Sequence, residues 1–138
     1  KTDPFVSELQ SVPNVILTPH IGGATEESQA ALGEEVSGKL RDFVLAADSA
    51  MALNFPEISA GGLKPGQSRL VIIHRNEPGV IAGVNDILSD AGLNITMQML
   101  RTRESLGVAV VDVEDEVSPS VYEQIVSLSP VQKCRLIS

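Results

Sequence analysis

Three side chains in the second half of the chain, His74, Asn76 and Asn94, could make one polar site. An asparagine amide both donates and accepts, so a pair of them suits a zwitterion. His74 can give or take a hydrogen bond. The loop at 76–79 leads into a helix whose first N–H groups are open to a carboxylate. Ordinary turn chemistry is the alternative, with Asn76 as a helix cap and Asn94 as a turn residue. In the first half the candidate is His20, between a strand end and a helix start. A histidine there can act as a general base near neutral pH. It would need an orienting carboxylate, a substrate-binding cation and a cofactor. A plain loop histidine beside a helix N-terminus is the other reading.

Several chemistries are excluded. His20 and His74 are the two histidines, they fall in separate regions, and the chain has one cysteine, Cys134. No metal site is expected from that ligand set. There is no G-x-G-x-x-G and no phosphate-binding P-loop. A lone cysteine permits no internal disulfide, which fits a reducing cytoplasm, and its apolar surroundings predict a buried, inert thiol. The net charge is −8. Up to Gly66 there are 4 basic and 9 acidic residues (net −5), and beyond it 6 and 9 (net −3). Neither part has a basic face, so nucleic acid and anionic membrane are poor partners. No run of about 20 apolar residues is present to span a bilayer. The chain opens on Lys1-Thr2-Asp3-Pro4-Phe5 with no Met and no leader, which reads as a piece of a longer protein.

The elements that must hold these residues follow from periodicity. Asn14 to Thr18 is a short apolar β-like run closed by Pro19. Thr25 is a fair helix cap, and Leu32, Val36, Leu40 and Phe43 recur at helical spacing, giving a helix from about Thr25 to Ala47. Gly33 and Gly38 inside it favour close packing against something. Residues 48–68 carry Asn54-Phe55-Pro56, Gly61-Gly62 and Pro65-Gly66, a linker. Arg69 to His74 then reads as a strand, with Val71 and Ile73 on one face and Ile72 and His74 on the other. Pro78 suits the first position of a helix striped by Val80, Val84 and Leu88 and stopped by Gly92. Asn94 to Arg103 alternates, with Ile95, Met97 and Met99 on one side. Glu104-Ser105 turns into a return strand, Leu106 to Val113. The acidic run Glu114-Asp115-Glu116 is a solvated loop. Ser118-Pro119 caps a second helix, and Val131 to Ile137 is the last strand. The order from residue 69 is β-α-β-β-α-β, an α+β ferredoxin-like arrangement with two helices on one face of a four-strand antiparallel sheet. An edge strand of such a sheet invites pairing, so a two-fold dimer through first strands or first helices is expected.

The run Asn14-Val15-Ile16-Leu17-Thr18-Pro19-His20-Ile21-Gly22-Gly23, followed by Thr25-Glu26-Glu27, resembles the end of the nucleotide-binding part of the D-2-hydroxyacid dehydrogenase family. Asn54-Phe55-Pro56-Glu57 narrows the likeness to the branch that oxidises 3-phosphoglycerate at the start of serine synthesis. His74-Arg75-Asn76-Glu77-Pro78-Gly79-Val80, with Gly92-Leu93-Asn94-Ile95, resembles the ACT domain of its serine-inhibited members. The resemblance implies that His20 takes the proton of the substrate 2-hydroxyl while hydride passes to NAD. It implies that His20, Ile21, Gly22 and Gly23 touch NAD, and that His74, Asn76 and Asn94 hold an L-serine effector between two subunits. It further implies a cytoplasmic homo-oligomer. Residues 1–47 would then be a strand–helix remnant of the Rossmann-type catalytic part, 48–68 a linker and 69–138 the ACT domain. The glutamate and arginine that partner the catalytic histidine in that family have no counterpart here, nor has the dinucleotide fingerprint. The chain alone is therefore expected to be inactive and not to bind NAD. A stand-alone amino-acid-binding or oligomerisation module is the competing reading.

Overall fold

The computed structural model describes residues 4–138; the first three residues of the predicted 1–47 segment lie outside them. Two units are distinguished, one up to Ser37 and one from Gly38 to Ser138. In the first, the stretch Asn14 to Thr18 is not a strand. A strand exists by pairing its backbone groups with a neighbour, and this apolar run meets none among the described residues; Ile16 stands 89% exposed. Helix α1, Glu26–Ala46, starts as expected. The Ser28 N–H donates to Thr25 Oγ1 and the Thr25 N–H to Ser28 Oγ, both at 3.2 Å, a reciprocal cap. No residue of α1 is buried, and open space lies over Gly33 and Gly38. Its Leu32-Val36-Leu40 stripe is exposed.

The second unit holds β1 (Gln67–Arg75), α2 (Val80–Asp90), β2 (Ile95–Arg103), β3 (Leu106–Glu114), α3 (Pro119–Ser127) and β4 (Val131–Ile137). The antiparallel sheet runs β2-β3-β1-β4. The first strand is thus central, flanked on both sides. It cannot pair edge to edge with a second copy, which corrects that half of the expected dimer; the edges are β2 and β4.

Alternation along β1 and β3 feeds two cores. Leu70, Ile72, Ala109, Val111 and Val113 meet Val84 and Leu88 of α2 and Val121 and Ile125 of α3. Val71, Val108 and Val110 point to the other face and meet Ala47 and Ile58. In β2 the expected single face for Ile95, Met97 and Met99 is wrong. Ile95 pairs with Val113 and Met97 with Asp112, so Thr96 is an extra residue. This bulge flips the side-chain phase, placing Ile95 under the helices and Met97 and Met99 on the second face. Pro78 does not open α2 either. Gly79 sits at the cap with φ 88° and no side-chain bond, so the chain turns through a left-handed glycine instead. At the far end of α2 the Leu93 N–H reaches Leu88 O and the Gly92 N–H reaches Ser89 O, each at 2.9 Å. That pair of hydrogen bonds around Gly92 (φ 70°) is the expected stop. Ser118 caps α3 through the Val121 N–H.

The stretch 46–61 is a strap laid on the second face. The Arg69 guanidinium, fully buried, binds Asp112 through Nε (2.6 Å) and Nη2 (2.7 Å). Its Nη1 donates to the carbonyls of Ala46 and Gly61, both at 2.7 Å, so one side chain holds both ends of the strap. Ser49 ties its middle, donating to Pro56 O (2.8 Å) and accepting from the Ile58 N–H (2.9 Å).

Candidate functional site

His74 lies near the end of β1, on the helix-facing side, and is 2% exposed. Its partner across the sheet is Gly107 of β3. Only glycine fits there: a Cβ on Gly107 would lie 2.2 Å from His74 Cε1 and 2.6 Å from Nε2. Nδ1 is 2.8 Å from the carbonyl of Arg75. A carbonyl only accepts, so Nδ1 carries the hydrogen, and in the neutral ring Nε2 is an acceptor. Nε2 is buried and has no hydrogen-bond partner. Buried polar atoms are seldom left so, and this one sits at the sheet end nearest the start of α2.

Asn76 is stitched to the β2–β3 turn. Its N–H donates to Ser105 O at 2.8 Å and its amide Nδ2 to Glu104 O at 3.1 Å. It is therefore not the helix cap that ordinary turn chemistry would make it. The first N–H groups of α2 have no side-chain cap. Asn94 is elsewhere. It precedes β2 and donates from Nδ2 to Glu114 Oε2 at 3.1 Å. Along β3 the partner of His74 is Gly107 and that of Ile95 is Val113, which separates the two ends by about 20 Å at the rise of a strand. One chain brings His74 and Asn76 together and leaves Asn94 at the opposite end. The two ends are nevertheless the two ends of one edge strand, β2.

His20, Ile21, Gly22 and Gly23 form a turn in the first unit, with His20 and Ile21 exposed. Thr18 to Gly22 line only an open depression. The described residues do not fit a dinucleotide by themselves, since among them only Thr18 to Gly22 line the depression. Among the described residues no cluster of three or more His, Cys, Asp or Glu could hold a metal ion. No helix among them is long and apolar enough to cross a membrane.

Burial pushes the Cys134 thiol up to about 11 and also raises the Tyr122 phenol. Cys134 is thus a packed, buried thiol, as expected. The Tyr122 hydroxyl donates to the Cys134 carbonyl at 2.8 Å. Two features escaped the sequence reading. Gly107 looks like an ordinary strand glycine until the ring opposite it is known. The Arg69–Asp112 pair had a signal: a basic and an acidic residue, each embedded in an apolar strand run.

Residues 70–133 match the family model described as an AHAS small subunit-like ACT domain. The chain is 44% identical over 130 residues to a D-3-phosphoglycerate dehydrogenase of Dictyostelium discoideum, covering 94% of this chain and 31% of that protein. It is 38% identical over 138 residues to the enzyme of the same name from Escherichia coli strain K12, covering 99% and 33%. The ACT domain from GTP pyrophosphokinase of Chlorobium tepidum aligns at 9% identity and a TM-score of 0.46, over 51% of this chain and 96% of that one. The chain spans about a third of the length of the curated relatives it matches. Residues 70–133, within the α+β ferredoxin-like unit, match an ACT domain, and the chain is similar over nearly its whole length to one third of D-3-phosphoglycerate dehydrogenase.

Proposed function

We propose that this chain is the effector-binding part of an NAD-dependent D-3-phosphoglycerate dehydrogenase, a cytoplasmic homo-oligomer that oxidises 3-phosphoglycerate, and that L-serine binds between two copies of it. In this reading residues 1–47 belong to the catalytic part, 48–68 connect the two parts and 69–138 bind the effector. His20 is the catalytic base of the parent enzyme, and Ile21, Gly22 and Gly23 stand with it beside NAD. Without the remaining catalytic residues the chain itself turns over no substrate.

The observation that carries the effector site is the placement of its halves at the two ends of β2. Asn94 sits at the start of that edge strand. Asn76 is bonded to the turn at its end. When two β2 edges pair antiparallel about a two-fold axis, the start of one strand meets the end of the other. Asn94 of a second copy then arrives near Asn76, at the sheet end that carries His74. The strand of His74, β1, lies about 14 Å (three strand spacings) in from the incoming β2, a gap for the ligand and the side chains to bridge. Pairing through β4 would leave Asn94 far from the axis. The serine carboxylate takes the uncapped N–H groups of α2. Its hydroxyl donates to His74 Nε2, and the two amides hold the ammonium and remaining oxygens. Serine then favours the paired state by binding it better than the separated one, and the parent enzyme is inhibited through that equilibrium.

The similarity of residues 14–27 to the dehydrogenases favours this reading over a free-standing sensor. Calorimetric titration tests it. Serine releases saturable heat with the dimer. Alanine, which leaves the buried acceptor unpaired, binds weaker by about 1–3 kcal/mol. Equal affinity for the two amino acids, or no serine heat from a folded dimer, contradicts the site.

A further inference from the structure

The second face of the sheet contains a cavity of about 120 Å³, walled by Phe43, Phe55, Val71, Ile73 and Val108 and completed by Lys133 and Arg135. The two phenylalanine rings meet edge to face, with centroids 6.3 Å apart. No acidic side chain lines the space. Arg135 is fixed in place: its guanidinium lies 5.7 Å over the Phe43 ring, and Nη2 donates to the Phe43 carbonyl at 2.9 Å. Yet its Nε is buried without a hydrogen-bond partner. An apolar hole beside two cations, one of them with an unused and desolvated donor, asks for a ligand with an apolar body and an anionic head.

We propose that this cavity binds a small monocarboxylate with a branched aliphatic tail. A cavity of about 150 Å³ takes a benzene ring, so this smaller one suits an isobutyl-sized group of about four carbons. The carboxylate accepts from Arg135 Nε and lies near the Lys133 ammonium. A charge-assisted bond of that kind relieves the orphaned donor as well as holding the anion. A larger dianion has no polar wall to meet inside. The site lies on the face opposite α2 and α3 and is independent of the serine reading.

The probe is 4-methylpentanoate, titrated into the chain while the methyl resonances of Val71, Ile73 and Val108 are followed by NMR. Saturable shifts confined to these methyls are expected, with His74 and Asn94 signals unmoved. Acetate, lacking the tail, and 4-methylpentanamide, lacking the charge, should each bind at least about tenfold more weakly. Arg135→Gln should weaken the acid about tenfold or more and leave the amide unchanged. Lys133→Gln, an exposed change that spares the fold, should weaken it by a smaller factor. Absence of saturable shifts, shifts centred on Asn76 and Asn94 instead, equal binding of acid and amide, or full affinity in Arg135→Gln would each overturn the proposal.

Discussion

Gly107→Ala isolates the one place where a missing side chain makes room for the proposed effector histidine. The new Cβ would stand 2.2 Å from His74 Cε1, 2.6 Å from Nε2 and 2.8 Å from Nδ1. The ring is 2% exposed and Nδ1 is held by the Arg75 carbonyl, so relief requires it to leave its slot. Overpacking of a filled site costs about 1–3 kcal/mol, and a contact this short belongs at the upper end. Against it stands the gain from replacing a strand glycine, about 0.5–1 kcal/mol, since Gly107 has no left-handed φ to protect. The net loss is about 2–2.5 kcal/mol, or about 8–20 °C in Tm for a unit of this size. The control is the same substitution in a His74→Ala background. With the ring gone the clash goes too, and Gly107→Ala should be neutral or stabilising there. Urea unfolding of the four proteins closes the double-mutant cycle. A Gly107→Ala protein as stable as the parent, or a cost unchanged by His74→Ala, would refute the argument.

Arg69→Leu should destabilise by about 3–5 kcal/mol, because it strands the Asp112 carboxylate in the core, whereas Arg69→Leu with Asp112→Leu should recover much of that loss. Urea midpoints decide it, and a single variant no worse than the double would contradict the pairing. Cys134 should alkylate with iodoacetamide at pH 8 at least about a hundredfold more slowly folded than unfolded, since its thiol is raised from 9.0 to about 11; similar rates would show an accessible thiolate. The Ser59 hydroxyl and, after it, the Ala50 N–H hold the Asp48 carboxyl below its ordinary 3.8. A depressed carboxylate stabilises the fold above its unfolded pKa, and that contribution is lost as pH falls through the lower folded value. Asp48→Asn should therefore flatten part of the acid limb below about pH 4, and an unaltered limb would remove Asp48 from the account.

The parts legible in the sequence were those governed by local rules. Ser118-Pro119, Gly92 and the alternation of β1 each carry their own signal, and the βαββαβ order follows from them. The failures came where a partner decides. Val15, Ile16 and Leu17 have strand character but no strand to pair with. The bulge at Thr96 is an extra residue defined only against β3, so the phase of Met97 and Met99 could not be read from β2 alone. Pro78 looked like a helix start because its ring tolerates that position; Gly79 took the turn because a left-handed residue was required. The candidate site shows the same division. His74, Asn76 and Asn94 drew attention by type and, more strongly, by family resemblance. That two of them lie at one sheet end and the third at the other depends on the register of β2 with β3, which is long-range information. The buried Arg69 clasp joins residues far apart in sequence, and only its unusual setting among Leu70, Val71 and Ile72 hinted at it.

The central claim is a serine site shared between two copies, and complementation tests it directly. Asn76→Ala and Asn94→Ala proteins are each titrated with serine, then mixed, re-equilibrated and titrated again. Neither variant alone should bind, because each of its dimers has both sites broken. In a mixed dimer one site collects both substitutions and the other keeps both asparagines. Statistical mixing should then restore about a quarter of the parent protein's serine sites, at the parent's affinity. Serine binding that stays absent in the mixture, or that is retained by either variant alone, would contradict a shared site.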